Sequence, residues 1–290
     1  MSDAIGFIGL GKMGAAICHT LLANNVSLCV HNRTEDKALS LIECGATWAA
    51  DIEKLSGCCN SIFICTSGSD AIKDFFYDPN TGLLSFLKPG SIVVDLSTIS
   101  PQSAASLYSS FAERGFDYIE CPVSGGVEGA LAGTLSAIVS GREQAYFKVL
   151  PLLNKFCKTI SYVKEPGKAQ RLKLLNNLAE SINLAGAIEV IRLGQAQGLD
   201  LESMVQVFRS CRGRSAYMDV ALEYALSNGR SSNVSLAVRC KDLDLAEEQS
   251  GNQENYPFAT LATSTFHKVK DVYGDDNDQC QYFSLLTQKQ

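Results

Sequence analysis

Short apolar runs alternate with segments of helical spacing over the first half of the chain, up to about residue 163. IGFIGL, VSLCVH, SIFICT, SIVVDL, FDYIEC, SAIVSG and TISYV read as strands, with helix-period stretches over 13–23, 35–43 and 102–113 between them. Strands that alternate with helices need crossover connections, which predicts a doubly wound, mainly parallel α/β sheet. From Gly167 the texture changes. KAQRLKLLNNLAESINLAGAIEVIRLGQAQG has no proline, and its apolar positions 172, 175, 178, 179, 182, 185 and 190 predict one long, largely buried helix ending at Gly198. LESMVQVFRS, YMDVALEYAL, LAVRCKDLDLAEEQS and FATLATSTFHKVKDVY continue the helical pattern. The chain therefore reads as an α/β domain over 1–164 and an all-α domain over 165–290, joined by the long interdomain helix.

Composition narrows the chemistry. The 290 residues are 46% hydrophobic with a formal net charge of -6, enough for a sizeable core and too acidic for a nucleic-acid surface. The opening MSDAIGFIGLG lacks a basic region, and no apolar segment approaches membrane-spanning length, so neither a signal peptide nor a membrane partner is expected. The eleven cysteines are scattered without a C-x-x-C, and Cys18, Cys29, Cys65 and Cys121 sit in apolar runs. They read as small core residues of a reduced, cytoplasmic protein. Three histidines without metal-ligand spacing predict no metal site.

Gly9, Gly11 and Gly14 form G-x-G-x-x-G directly after a strand and at the start of a helix, with Leu10, Lys12 and Met13 between them. The first glycine permits the tight turn, the second lets backbone approach a pyrophosphate, and the third lets helix and strand pack closely. This Rossmann-type signature predicts a bound dinucleotide on the helix N-terminus. At the end of the second strand the usual acidic ribose ligand is missing, and Asn32, Arg33 and Thr34 stand there instead. A carboxylate would repel a 2′-phosphate, whereas a guanidinium can pair with it through two hydrogen bonds, so the expected cofactor is NADP(H).

Five motifs in order, GFIGLGKMG at 6–14, VDLSTISP at 94–101, CPVSGGVEGALAGTL at 121–135, KLLNN at 173–177 and KDLDLA at 241–246, make the chain resemble the β-hydroxyacid dehydrogenases. That group includes 3-hydroxyisobutyrate dehydrogenase and the glyoxylate and succinic semialdehyde reductases. The resemblance implies that Ser124, Gly125 and Gly126 bind the substrate carboxylate, that Lys173 is the catalytic acid/base, and that Asn177 orients it or the substrate. Lys173 and Asn177, four apart, share a helix face, and a lysine can protonate the alkoxide left by hydride delivery to a carbonyl. The resemblance also places Thr98 near the nicotinamide ribose, brings Lys241 to the cofactor, and makes Thr66 and Ser67 cofactor-loop candidates. The chain departs from the family pattern at Ala169, where a glycine is frequent two residues after Gly167, and at Val234, where many members carry phenylalanine. Arg212 and Arg214 lie where members differ in substrate.

The expected activity is NADPH-dependent reduction of a small aldehyde or keto acid of glyoxylate, succinic semialdehyde or tartronate semialdehyde type. The alternative is NAD(P)-dependent oxidation of a 3-hydroxy acid. An imine reductase, or a non-catalytic NADP-binding module, fits Lys173, Asn177 and Ser124 less well. A homodimer or homotetramer is implied by the resemblance.

Overall fold

The computed structural model describes residues 4–66, 72–227, 229, 234–249, 251 and 255–287. The chain divides into two compact units, 1–173 and 174–290. In the first, β1 (Ala4–Ile8), α1 (Lys12–Ala23), β2 (Leu28–His31), α2 (Leu39–Glu43), β3 (Thr47–Trp48), α3 (Ile52–Cys58) and β4 (Cys59–Ile64) follow in order. Then come α4 (Ile72–Tyr77), β5 (Ile92–Asp95), α5 (Pro101–Glu113), β6 (Asp117–Glu120), β7 (Val123–Ser124), α6 (Gly126–Leu131), β8 (Leu135–Ser140), α7 (Glu143–Leu153) and β9 (Cys157–Lys164).

The described strands form one sheet ordered β3-β2-β1-β4-β5-β6-β8-β7, with β9 beside β8. Pairing is parallel from β3 through β6 and antiparallel where β8 meets β6 and β7. Strand residues alternate between two cores because successive side chains point to opposite faces. Phe63, Val94 and Ile119 pack with Ile17 and Leu21 of α1. Ile62, Ile64, Val93 and Tyr118 pack with Leu55 of α3 and with Leu107 and Phe111 of α5. Strand order reverses between β1 and β4, and in open α/β sheets ligands bind at such a switch point, beyond the carboxyl ends of the strands.

The strands read from the sequence are all present, and two more appear. Thr47–Trp48 and Val123–Ser124 are two residues long, too short to carry an alternating pattern. The segment 35–43 begins as a 3₁₀ turn over Glu35–Ala38 before becoming α2.

The second unit is helical, with α9 (Leu201–Ser210), α10 (Ala216–Leu226), α11 (Leu236–Glu247), α12 (Pro257–Tyr273) and α13 (Tyr282–Thr287). The long helix α8 (Lys168–Ala196) starts in the first unit and continues into the second. None of the helices among the described residues is long and apolar enough to cross a membrane.

The expected burial of α8 is corrected. Leu172, Leu175, Ala179 and Val190 are exposed, Leu175 at 60%, and Leu178, Ile182 and Ala185 are only half-buried. The buried face runs instead through Gln170, Lys173, Leu174, Asn177, Ser181, Leu184, Ile188 and Ile191. Gln170, Asn177 and Ser181 tolerate burial because hydrogen bonds meet them, as burial of polar groups requires. Helical spacing marks both stripes equally well, and only packing distinguishes them.

Arg239 on α11, 2% exposed, organises the polar part of the second unit. Its Nε donates to Gln279 Oε1 (2.7 Å), its Nη1 to the Asn177 carbonyl and Ser181 Oγ (both 3.1 Å), and its Nη2 to Tyr217 Oη (2.9 Å). Glu180 supplies the counter-charge at 3.4 Å and accepts the Tyr217 hydroxyl proton at 2.6 Å. Truncating one member of a buried pair strands the other. Arg239→Ala is therefore expected to cost about 3–5 kcal/mol in denaturant unfolding.

Candidate cofactor and catalytic sites

The glycine turn meets the requirements of a dinucleotide cradle, each glycine for a different reason. Gly9 has φ of 96°, and a Cβ there would strike the Cys65 carbonyl at the end of β4. A Cβ on Gly14 would strike the Gly9 carbonyl. Gly11 is different, with an ordinary φ of -68° and no protein atom within 4 Å of an added Cβ. The fold asks for Gly9 and Gly14, while the openness at Gly11 leaves room for a ligand to approach the backbone at the first turn of α1. Lys12 is exposed beside it, and Met13 packs partly against the core.

Asn32 braces this turn. Its Oδ1 accepts the Leu10 N–H (3.0 Å) and its Nδ2 donates to the Thr34 carbonyl (2.9 Å), tying the end of β2 to the exit of β1. Arg33 and Thr34 beyond it are exposed. Arg33 makes no hydrogen bond or ion pair among the described residues. A free cation and no carboxylate at this point suit a 2′-phosphate.

Thr66 leaves β4 beside the exit of β5. Its N–H donates to Ser97 Oγ (3.0 Å), and its hydroxyl lies 3.3 Å from the same oxygen. Ser97 N–H donates to Asp95 (2.9 Å), which also accepts the Tyr118 hydroxyl (2.7 Å). Thr98 lies next in this braced segment, whereas Ser67 falls outside the described residues.

At the third expected motif the structure refines the reading of a simple turn. Val123 and Ser124 form β7, antiparallel to β8, and Gly126 opens α6. Gly125 and Gly126 have φ of 131° and 69°, which side chains rarely adopt, so this turn needs both glycines. Strand pairing fixes Ser124 opposite Ser136.

Lys173 and Asn177 lie on the buried face of α8, Lys173 being 7% exposed. Asn177 Nδ2 donates to Asp242 Oδ2 (2.6 Å), while Lys241 Nζ lies 3.1 Å from Asp242 Oδ1. One buried carboxylate thus gathers two expected site residues. The approach of Asp242 to Asn177 spans 65 residues, so no local sequence pattern announces it. Asp244, three residues after Lys241, pairs with His267 (2.6 Å). Arg212 and Arg214 are exposed.

Sequence reasoning also passed over Glu120 and Gln170. Both are buried, and both bond to the backbone around the expected motifs. Burial pushes the Glu120 carboxyl above the ordinary glutamate range, and Asp95 on the adjacent strand pushes the same way, against the opposing pull of the Gly167 amide. The signal that could have found them is a polar residue in an apolar strand, as in DYIEC, and a glutamine one turn before the lysine.

Comparison with known proteins gives a consistent picture. Residues 4–164 match the NAD-binding domain of 6-phosphogluconate dehydrogenase, and 167–286 match the NAD-binding domain of NADP-dependent 3-hydroxyisobutyrate dehydrogenase. The chain is 32% identical to 2-(hydroxymethyl)glutarate dehydrogenase of Eubacterium barkeri, over 91% of this chain and 87% of that protein. It is 30% identical to 3-hydroxyisobutyrate dehydrogenase of Pseudomonas aeruginosa, over 92% and 91% respectively. A solved structure of Psf3 in complex with NADP+ and 2-OPP is 63% identical, with a TM-score of 0.95, covering 98% of this chain and all of that one.

The glycine argument has a direct check. Gly11→Ala is expected to leave unfolding stability within about 1 kcal/mol while weakening NADPH binding at least about tenfold. Gly14→Ala should lower both, stability by about 1–3 kcal/mol, because its methyl group meets the Gly9 carbonyl. Thermal unfolding with and without cofactor separates the two.

Proposed function

The chain belongs to the β-hydroxyacid dehydrogenase family, oxidoreductases acting on CH–OH groups with NADP(H) as cofactor here, and from that premise we propose that it reduces the carbonyl of a small anionic substrate with NADPH. The observation that carries this reading is the buried Lys173 and Asn177 pair, one turn apart on α8, in a chain 63% identical to a protein held with NADP+ and 2-OPP. That identity makes 2-OPP the first compound to test, ahead of glyoxylate, succinic semialdehyde and tartronate semialdehyde.

NADPH supplies the hydride. Gly9–Gly14 and the amides opening α1 would hold its pyrophosphate, Arg33 and Thr34 its 2′-phosphate, and Thr66 and Thr98 its nicotinamide half, with Lys241 assigned to the cofactor by the family resemblance. Ser124 and the Gly125 and Gly126 amides bind the substrate's anionic group. Lys173 holds its ammonium toward the carbonyl oxygen, stabilises the negative charge developing there, and releases a proton to it. Asn177, held by Asp242, keeps the substrate oxygen and Lys173 in register. The dehydrogenase relatives favour the reverse, oxidation of a 3-hydroxy acid, which uses the same residues with Lys173 as the proton acceptor. The free cysteines support a reducing, cytoplasmic setting.

A homo-oligomer is also part of this reading. Leu172, Leu175, Ala179, Ile182, Gly186, Val190 and Leu193 recur at steps of three and four along one exposed or half-exposed face of α8. That spacing suits the same helix of a second copy.

In an assay following NADPH oxidation, turnover with 2-OPP or one of the aldehyde acids is expected. Lys173→Ala should lower kcat by about 10²–10⁴, and Arg33→Ser should raise the KM for NADPH about tenfold without affecting NADH. Preference for NADH would sink the Arg33 assignment, and full activity of Lys173→Ala would sink the mechanism. Separately, light scattering of the Leu175→Glu/Leu193→Glu double variant should give a single-chain mass of 31.3 kDa where the wild type gives a multiple of it.

A further inference from the structure

The first turn of α8 is fastened by two buried side chains that the proposed mechanism leaves unused. Gln170 Nε2 donates to the Ser97 carbonyl (2.9 Å), and its Oε1 accepts the Ile99 N–H (3.2 Å). This amide grips the backbone on both sides of Thr98. Glu120, the last residue of β6, accepts the Gly167 N–H through Oε1. Gly167 has φ of 79°, and a Cβ there would stand 3.0 Å from the Pro101 carbonyl, so this approach requires glycine.

Each fastening ends close in sequence to a residue of the proposed machinery. Thr98 lies between the two groups that Gln170 binds, Ser124 lies four residues beyond Glu120, and Lys173 lies three residues beyond Gln170 on the same helix face. Both clamp residues are nearly inaccessible to water. Glu120 Oε2 and the Oγ of Ser140, its register partner on β8, are buried side-chain oxygens, and Oε1 takes the Gly167 N–H. Neither side chain serves the sheet ladder or an apolar core, and side-chain amide and carboxyl groups are costly to bury unless their hydrogen bonds are made.

We infer that Glu120 and Gln170 are positioning residues that use the first turn of α8 to hold Thr98, Ser124 and Lys173 in mutual register. The inference rests on the proposed role of Lys173. Removing either arm frees a loop or the helix start to shift by a fraction of an ångström, which is felt in the hydride and proton steps more than in binding.

The test uses the full chain, with Gln170→Leu, Glu120→Leu, Glu120→Gln and Lys173→Ala compared for kcat, NADPH affinity and the kinetic isotope effect of deuterated NADPH. Both leucine variants should lose about 100-fold in kcat at saturating cofactor, with NADPH affinity within about threefold and a larger isotope effect as chemistry becomes limiting. Glu120→Gln keeps the acceptor for the Gly167 N–H and should recover most of that activity. Should a leucine variant not fold, Gln170→Asn or Glu120→Asp shortens the arm by one methylene and carries the same expectation, at about tenfold. The inference is overturned by leucine variants that fold and keep kcat, by a loss confined to NADPH affinity, or by Glu120→Gln falling as far as Glu120→Leu. Wild-type activity in Lys173→Ala overturns the underlying mechanism instead, whereas a dead Lys173→Ala beside an active Gln170→Leu removes only the clamp.

Discussion

A stripe of polar side chains buried along one helix is the constraint on which much of this protein depends. Gln170, Lys173, Asn177 and Ser181 recur at steps of three and four on the inner face of α8, where a core helix would carry leucines. Burial of amides and hydroxyls is tolerable only when their hydrogen bonds are made. Those bonds come from Ser97, Ile99, Asp242 and Arg239, drawn from segments far apart in sequence. Within each unit the helix is therefore held by polar contacts of fixed direction, which apolar packing alone would specify less sharply.

The same economy of constraint shapes the nucleotide turn. Gly9 and Gly14 are demanded by the neighbouring backbone, and Asn32 closes the turn from β2 with one acceptor and one donor. An aspartate at position 32 could accept from Leu10, but it could not donate to the Thr34 carbonyl. The exchange of acid for amide thus removes the charge that would oppose a 2′-phosphate and adds a bond that holds the loop bearing Arg33. The missing negative charge and the local geometry both follow from an NH₂ group standing where an aspartate would carry an oxygen.

Within the second unit, a single carboxylate joins a residue proposed to meet substrate with one proposed to meet cofactor. Asp242 accepts from Asn177 and stands beside Lys241, while Arg239, on the same helix, holds the backbone carbonyl of Asn177. Side chain and backbone of Asn177 are thereby both restrained. Catalytic groups gain from such restraint because geometry fixed before the reaction need not be found during it.

Much of this was legible in the sequence alone. The alternation of strand and helix, the glycine spacing and the absence of an acid at the end of β2 depend on residues near one another in the chain. Local backbone chemistry was enough to set the strand order's class, the dinucleotide turn and the helical second half. The two-residue strands escaped notice because they are shorter than any period. The burial of α8 was misread because 3.6-residue periodicity reports that a stripe exists without saying whether it faces protein or a partner. Glu120, Gln170, Arg239 and Asp242 became meaningful only in three dimensions. Their hydrogen bonds reach partners as much as 73 residues away, and a polar residue in isolation has no partner to declare. Sequence determined the elements and the chemistry available, and tertiary structure alone decided which polar groups would be buried together, since only folding brings donor to acceptor.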